Sequence, residues 1–186
     1  MIGAMIELTP FTEADIDRLL GWVRSRQDFL FWAAATLDYP LTREGMLVHL
    51  EQSARAGDRR IFKVVDAATR EAAGYLEFTL INPDNRSLRI SRVVVDPAAR
   101  GRGIGGALMR EAARIAFEEL GMHRVELGVF HLNPGAIACY ERVGFRQEGV
   151  RRDSFKVPDD VEENRYWSEV VMSILAPEWA ASKETR

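Results

Sequence analysis

The pattern of apolar and polar positions changes period several times along this chain, and each change marks an element. A short apolar start ends over Glu7 to Pro10 and reads as a strand. Thr12 then stands as a helix N-cap, with Asp15 three residues on in a loose capping box. Ile16, Leu19, Leu20 and Val23 follow at helical spacing. The segment Asp28 to Trp32 interrupts that period with a dense aromatic patch of Phe29, Phe31 and Trp32. Pro40-Leu41-Thr42 opens a second helix, with Met46, Leu47 and Leu50 on one face and Gly57-Asp58 at its close.

The middle of the chain changes to the period of strands. Ile61 to Val65, Gly74 to Ile81 and Leu88 to Val95 are joined by turns at Asp66 to Glu71 and at Asn82-Pro83-Asp84-Asn85. Connections this short cannot hold a crossover helix, so the pattern predicts an antiparallel meander. After it, Ile104 to Leu120 reads as one long helix, with Gly121 past its end. Arg124 to Phe130 alternates as a strand, and Asn133-Pro134 caps a short helix that runs to Val143. Phe145 begins another strand, Asp153 to Asn164 is a polar loop, and Tyr166 to Leu175 is the last strand. The expected fold is α/β, a central mixed sheet of about six or seven strands with helices on both faces.

Composition narrows the function classes. At 186 residues the chain can bury its own core and is read as one domain over 1–186. A net charge of −3 points away from nucleic acid as the main partner. One cysteine, Cys139, precludes an intrachain disulfide, and His49, His123 and His131 are too scattered for a metal motif. The start lacks a signal peptide's basic flank, and no stretch nears the ~18 apolar residues of a membrane span. A cytoplasmic protein with no membrane partner and no metal is expected.

The glycine-rich turn carries the chemistry. The strand through Val93, Val94 and Val95 passes Asp96-Pro97 into Arg100-Gly101-Arg102-Gly103-Ile104-Gly105-Gly106, where a helix begins. Glycines there let backbone approach a ligand, and the free N–H groups of the first helical turn favour an anion. Arg100 and Arg102 add positive charge, so the implied ligand carries phosphates. Gly101, Gly103 and Gly106 fit G-x-G-x-x-G, with Glu126 about 20 residues on, as in a dinucleotide site. Five residues separate the strand from the first glycine, however, and a meander precedes it, which disfavours an NAD-dependent oxidoreductase.

Arg100, Gly103 and Gly105 also form R-x-x-G-x-G directly after Val95-Asp96-Pro97, which resembles the acetyl-coenzyme A motif of the GNAT N-acetyltransferases. Asn133, Ala136, Tyr140, Gly144 and Phe145 resemble that family's N-x-x-A-x-x-x-Y-x-x-x-G-F segment. The likeness covers Gly74 to Phe145. It extends more loosely to Leu8-Thr9-Pro10 and to Met172 to Trp179, which resemble the ribosomal-protein N-terminal acetyltransferase branch.

The resemblance implies a single GNAT acetyltransferase domain with a mostly antiparallel sheet, acetyl-CoA as cosubstrate, and direct attack by a primary amine in a ternary complex. On matching positions it implies cofactor contacts from Val93, Val94, Val95, Arg100, Gly101, Arg102, Gly103, Ile104, Gly105, Gly106, Asn133 and Tyr140. It also implies a splay between neighbouring strands, with the Val94 or Val95 N–H as oxyanion donor. Tyr140 is the candidate acid for the leaving thiolate. It lies seven residues after Asn133, on the same face of a helix. Many relatives carry an acid on the strand before Asp96, where this chain has Arg89, Ser91 and Arg92. Glu77 or a water chain is left as base, although a lone strand glutamate reads first as a solvated surface residue.

Trp32 and Glu77 are the candidate substrate residues. An acceptor rim of Trp22, Phe29, Phe31, Trp32, Tyr39 and the acidic run Asp159, Asp160, Glu162 and Glu163 would suit a cationic amine, with the acidic run read first as a solvated loop. His131 reads as a surface-loop residue bordering the site. Cys139 is turned about 100° from Tyr140 and reads as buried and inert. The candidate acceptors are a small-molecule amine, such as a polyamine or aminoglycoside, and a protein or peptide N-terminus. A non-catalytic acyl-CoA-binding module is the alternative, countered by Asn133 and Tyr140. Homodimers are common in the family, so a second copy is a candidate partner.

Overall fold

Residues 5–34, 36–162 and 165–184 are described by the structure, a computed structural model. The chain begins with strand β1 (Ile6–Pro10), followed by helices α1 (Ile16–Trp22), α2 (Arg26–Ala33) and α3 (Arg43–Ala56). Strands β2 (Arg60–Asp66), β3 (Ala72–Asn82) and β4 (Ser87–Val95) form the meander that the turns predict, and β1 pairs with β2 at its edge. Helix α4 (Ile104–Arg114) crosses to β5 (Arg124–Phe130), which runs parallel to β4. Helix α5 (Pro134–Val143) leads to β6 (Arg146–Lys156), then β7 (Tyr166–Leu175) returns between β5 and β6, and α6 (Ala176–Glu184) follows. The seven strands lie in the order β1-β2-β3-β4-β5-β7-β6. All pairings but β4 with β5 are antiparallel, so this is not the doubly wound sheet of a dinucleotide fold.

Successive side chains of a strand face opposite sides, and β3 shows what that does here. Tyr75 enters a core with Ile16, Leu19, Phe29 and Trp32 of α1 and α2. Leu76 and Phe78 enter a second core with Leu108 and Ala112 of α4. Helices therefore cover both faces. Among the described residues no helix is long and apolar enough to cross a membrane.

Three local readings are corrected. The aromatic patch at Asp28 to Trp32 is not a break but the body of α2. The sequence Ser25-Arg26-Gln27-Asp28 is a capping box: Ser25 Oγ accepts from the Asp28 N–H at 3.0 Å, and the Asp28 carboxylate accepts from the Ser25 N–H at 3.3 Å. The long helix from Ile104 ends in a π-helical stretch over Ile115–Glu119, where the Leu120 N–H reaches back five residues to the Ile115 carbonyl at 3.0 Å. The polar segment from Asp153 is not yet loop, because β6 runs to Lys156. It is an edge strand exposed along nearly its whole length, so it carries no apolar alternation to read.

Candidate active site

The sheet opens where β4 and β5 part. Their parallel ladder holds only Ser87, Leu88 and Arg89 against Arg124, Val125 and Glu126, and beyond it β5 is held by β7 alone. On its other side β4 bulges between its pairings with Tyr75 and Glu77, and Arg92 there has a φ of 49°. The Asp96 N–H donates to the Ala73 carbonyl at 2.9 Å. By the alternation of an antiparallel ladder, the Val94 amide then points toward β3, and the Val95 amide points toward the opening. The Val95 carbonyl faces that way too, since it accepts from Arg100 Nε at 3.4 Å. Of the two candidate oxyanion donors, Val95 is the one with a free direction.

A cavity of about 810 Å³ fills one side of the opening. Its floor is Val93, Val94 and Val95, and its end wall is the turn of Arg100, Gly101, Gly103, Ile104, Gly105 and Gly106. Gly101 and Gly103 have φ of 76° and 80°, left-handed values that a side chain would strain, and a Cβ on either would meet open space. Gly103 is the N-cap of α4, and Ala107 is the first residue to bond back, at 3.1 Å to the Gly103 carbonyl. Among the described residues, the amides of Ile104, Gly105 and Gly106 have no hydrogen-bond partner at the positive end of the helix. This cradle fits the diphosphate of a coenzyme A. Arg102 does not share it. Its guanidinium turns outward to Asp66 at 2.8 Å, and the residue lies outside the cavity wall, which corrects its expected place on the rim.

The opposite wall is α5. Asn133 caps it, its Oδ1 accepting from the Ala136 N–H at 3.1 Å, and Asn133 and Tyr140 reach the cavity together. The Tyr140 hydroxyl makes no hydrogen bond among the described residues. Burial, with the Cys139 thiol beside it, pushes that hydroxyl well above its ordinary range, so it stays protonated. Cys139 itself is half-buried and lines the same cavity, not sealed in the core as its apolar neighbours suggest. The helix face toward the cavity is wide enough to include both residues.

A second cavity, of about 360 Å³, lies across the opening. Phe31, Trp32, Val93, Asn133 and Tyr140 line both, so the two meet at Val93 and Tyr140. Trp32 is fixed there by donating from Nε1 to the Arg92 carbonyl at 2.8 Å. Arg59, Arg89, Arg92 and Glu169 bring charge to this wall. Among the described residues, six non-glycine residues have positive φ, and three of them, Ala34, Leu80 and Arg92, line this cavity. Such strain concentrates at functional sites.

Glu77 is not solvated. Its side chain is fully buried behind Arg92 and lines neither cavity, so it cannot meet an acceptor directly. Its carboxylate accepts from Arg92 at 2.5 Å, lies 2.8 Å from His49 Nε2, and accepts from the Tyr75 hydroxyl. Burial alone would raise this carboxyl, but the His49 bond and the Arg92 charge outweigh it and hold it below its ordinary range. Burial and the neighbouring carboxylate push the Tyr75 hydroxyl far up, which keeps it a donor.

Glu169 is a residue that sequence reading missed. It sits in an apolar strand, yet among the described residues it is the sole carboxylate lining the smaller cavity. It pairs with Arg89 at 2.5 Å and Arg151 at 3.0 Å. A Cβ on Gly128 would overlap this pair, so a glycine in an otherwise alternating strand was the available signal.

The remaining expected rim residues divide. Trp22 and Phe31 reach the larger cavity, whereas Phe29 is core and Tyr39 packs its ring against it at a 59° tilt outside both cavities, under Arg26. Asp159, Asp160 and Glu162 form surface ion pairs with Lys156, Arg26 and Arg165, and Glu163 lies outside the described residues. His131 lies apart on the surface, its Nδ1 3.2 Å from the Ser168 amide nitrogen.

The acetyltransferase (GNAT) family model matches residues 22–145. The chain is 26 % identical to Probable N-acetyltransferase YjcK of Bacillus subtilis over 182 residues, 95 % of this chain and 97 % of that protein. It is 33 % identical to the spermidine N(1)-acetyltransferase of Vibrio cholerae over 92 residues, 50 % of this chain and 53 % of that protein. In fold it is similar to spermidine N-acetyltransferase from Vibrio cholerae in complex with CoA and spermine, with a TM-score of 0.81 at 23 % identity, covering 94 % of this chain and 98 % of that one.

Proposed function

The chain belongs to the acetyltransferase (GNAT) family and is an acetyl-CoA-dependent N-acetyltransferase; from that premise we propose that it acetylates the primary amine of a small molecule by direct attack within a ternary complex. One observation carries the reading. The two cavities share a wall at Phe31, Trp32, Val93, Asn133 and Tyr140, so groups entering from opposite sides come together at the splay. Acetyl-CoA supplies the activated thioester. The glycine turn and the free amides of α4 hold its diphosphate, and the Val95 N–H stabilises charge developing on the carbonyl oxygen. Glu169 takes the proton that frees the amine lone pair. The C–N bond forms, the C–S bond breaks, and Tyr140 gives its proton to the sulfur and regains one from solvent.

A cavity of about 360 Å³ suits a small molecule better than an extended peptide. The test is coenzyme A thiol release with two acceptor pools, small amines in one and peptides with varied free N-termini in the other. Release with small amines is expected. Release with peptides alone would refute the small-molecule reading and leave the acetyltransferase standing.

A further inference from the structure

The smaller cavity is charged in an uneven way. Three guanidinium groups and one carboxylate reach its wall: Arg59, Arg89, Arg92 and Glu169. Arg89 is satisfied by Glu169 at 2.5 Å and Glu126 at 3.7 Å. The other two keep unused donors. Arg92 is 9 % exposed and gives one terminal nitrogen to Glu77 and the other to Thr36, yet its Nε is buried with no hydrogen-bond partner among the described residues. Arg59 makes no hydrogen bond among the described residues; Asp58 approaches its Nε at 3.6 Å, and that nitrogen too is buried and unbonded. A guanidinium presents five donors in a planar fork that matches a carboxylate or phosphate.

Resting on the reading of this cavity as the acceptor site, we infer that the acceptor is an amine that also carries an oxyanion, a carboxylate or a phosphate, and is not a polycation. Its ammonium faces Glu169, and its oxyanion takes the unbonded terminal donors of Arg59 beside the Arg92 guanidinium. A polyamine meets three cations and one anion here and has no partner for the arginines, which disfavours it by repulsion as well as by missing contacts. The bulge that gives Arg92 its positive φ and the Glu77 carboxylate behind it hold the Arg92 guanidinium in place.

The experiment uses the whole protein with acetyl-CoA and matched acceptor pairs. Amino acids are set against their amides, and phosphoethanolamine against ethanolamine, with spermidine as the polycation. The expected result is a kcat/KM at least about tenfold higher for the carboxylate or phosphate member of its pair, the effect of one charge-assisted hydrogen bond. The pair that shows the preference identifies the anion. Arg59→Gln should raise KM for that acceptor about tenfold or more, while acetyl-CoA still raises Tm as it does in the wild type. Equal use of the neutral members, or preference for spermidine, overturns the inference and leaves small-amine acetylation intact. Thiol release with none of the amines, while acetyl-CoA still stabilises the fold, overturns the proposed function and this inference together.

Discussion

Replacing Glu77 by Gln tests the buried charge network, because it removes one charge and almost no volume. The Glu77 side chain is 0 % exposed and Arg92 only 9 %, so the positive charge left on Arg92 has little solvent to turn to. Removing one partner of a buried pair costs about 3–5 kcal/mol. The glutamine oxygen can still accept one hydrogen bond, worth about 1 kcal/mol, so a net loss of about 3 kcal/mol is expected. In a chain of this size that lowers Tm by about 6–12 °C, measured by circular dichroism at neutral pH. The pH dependence has a definite sign. The Glu77 carboxyl is held below its ordinary 4.5, so its contribution is full above that pH and is lost as pH falls through and below it. The gap between wild type and variant should therefore close under acid, where protonation does what the substitution does. A gap under about 2 °C at neutral pH, or one undiminished near pH 3, would refute the reasoning. Glu77→Leu should be rescued in part by adding Arg92→Leu, since no charge is then left unpaired.

Four further outcomes are expected. Gly103→Glu puts bulk and negative charge into the phosphate cradle at a left-handed position with φ 80°, and should abolish the thermal stabilisation by acetyl-CoA, worth about 2.7 kcal/mol at a hundredfold excess over Kd; an undiminished shift would remove the turn from the cofactor site. Tyr140→Phe should lower kcat by about 10²–10⁴ with acetyl-CoA affinity held, and unchanged turnover would take Tyr140 out of the mechanism. Glu169→Gln should lower kcat by about 10² or more without changing acetyl-CoA binding, and full activity would mean that the amine loses its proton elsewhere. Cys139→Ala should remain active, and acetyl-CoA should shield the wild-type thiol from iodoacetamide, because Cys139 lines the larger cavity, proposed to hold the cofactor; a folded but dead variant would point to a covalent acetyl-enzyme.

Much of the local architecture was legible because its determinants are short-range. A helix cap is written within three residues, as at Thr42, whose hydroxyl accepts from the Gly45 N–H at 3.0 Å. A turn with left-handed residues requires glycine where Gly101 and Gly103 stand. The spacing from Asn133 to Tyr140 puts both on one helix face whatever surrounds the helix. The box at Ser25 is equally local, but the aromatic run Phe29, Phe31 and Trp32 behind it masks the helical period that the cap opens.

The charge pairs depend on partners far apart in the chain. His49 and Glu77 are 28 residues apart, Arg102 and Asp66 are 36 apart, and Arg89 and Glu169 are 80 apart. Nothing in a local window distinguishes Arg102, which turns away from its own loop, from Arg100, which lines it. The sequence alone determined the alternation of strands and helices, the glycine-rich turn and the helix that presents Tyr140, because each follows from backbone conformation and short-range periodicity. Tertiary structure decided which charges are buried and which partners neutralise them. It buried Glu77, set the Arg59 and Arg92 side chains at a cavity wall, and placed Glu169 across Gly128, since burial and pairing of charge are properties of the packed sheet and not of any segment of it.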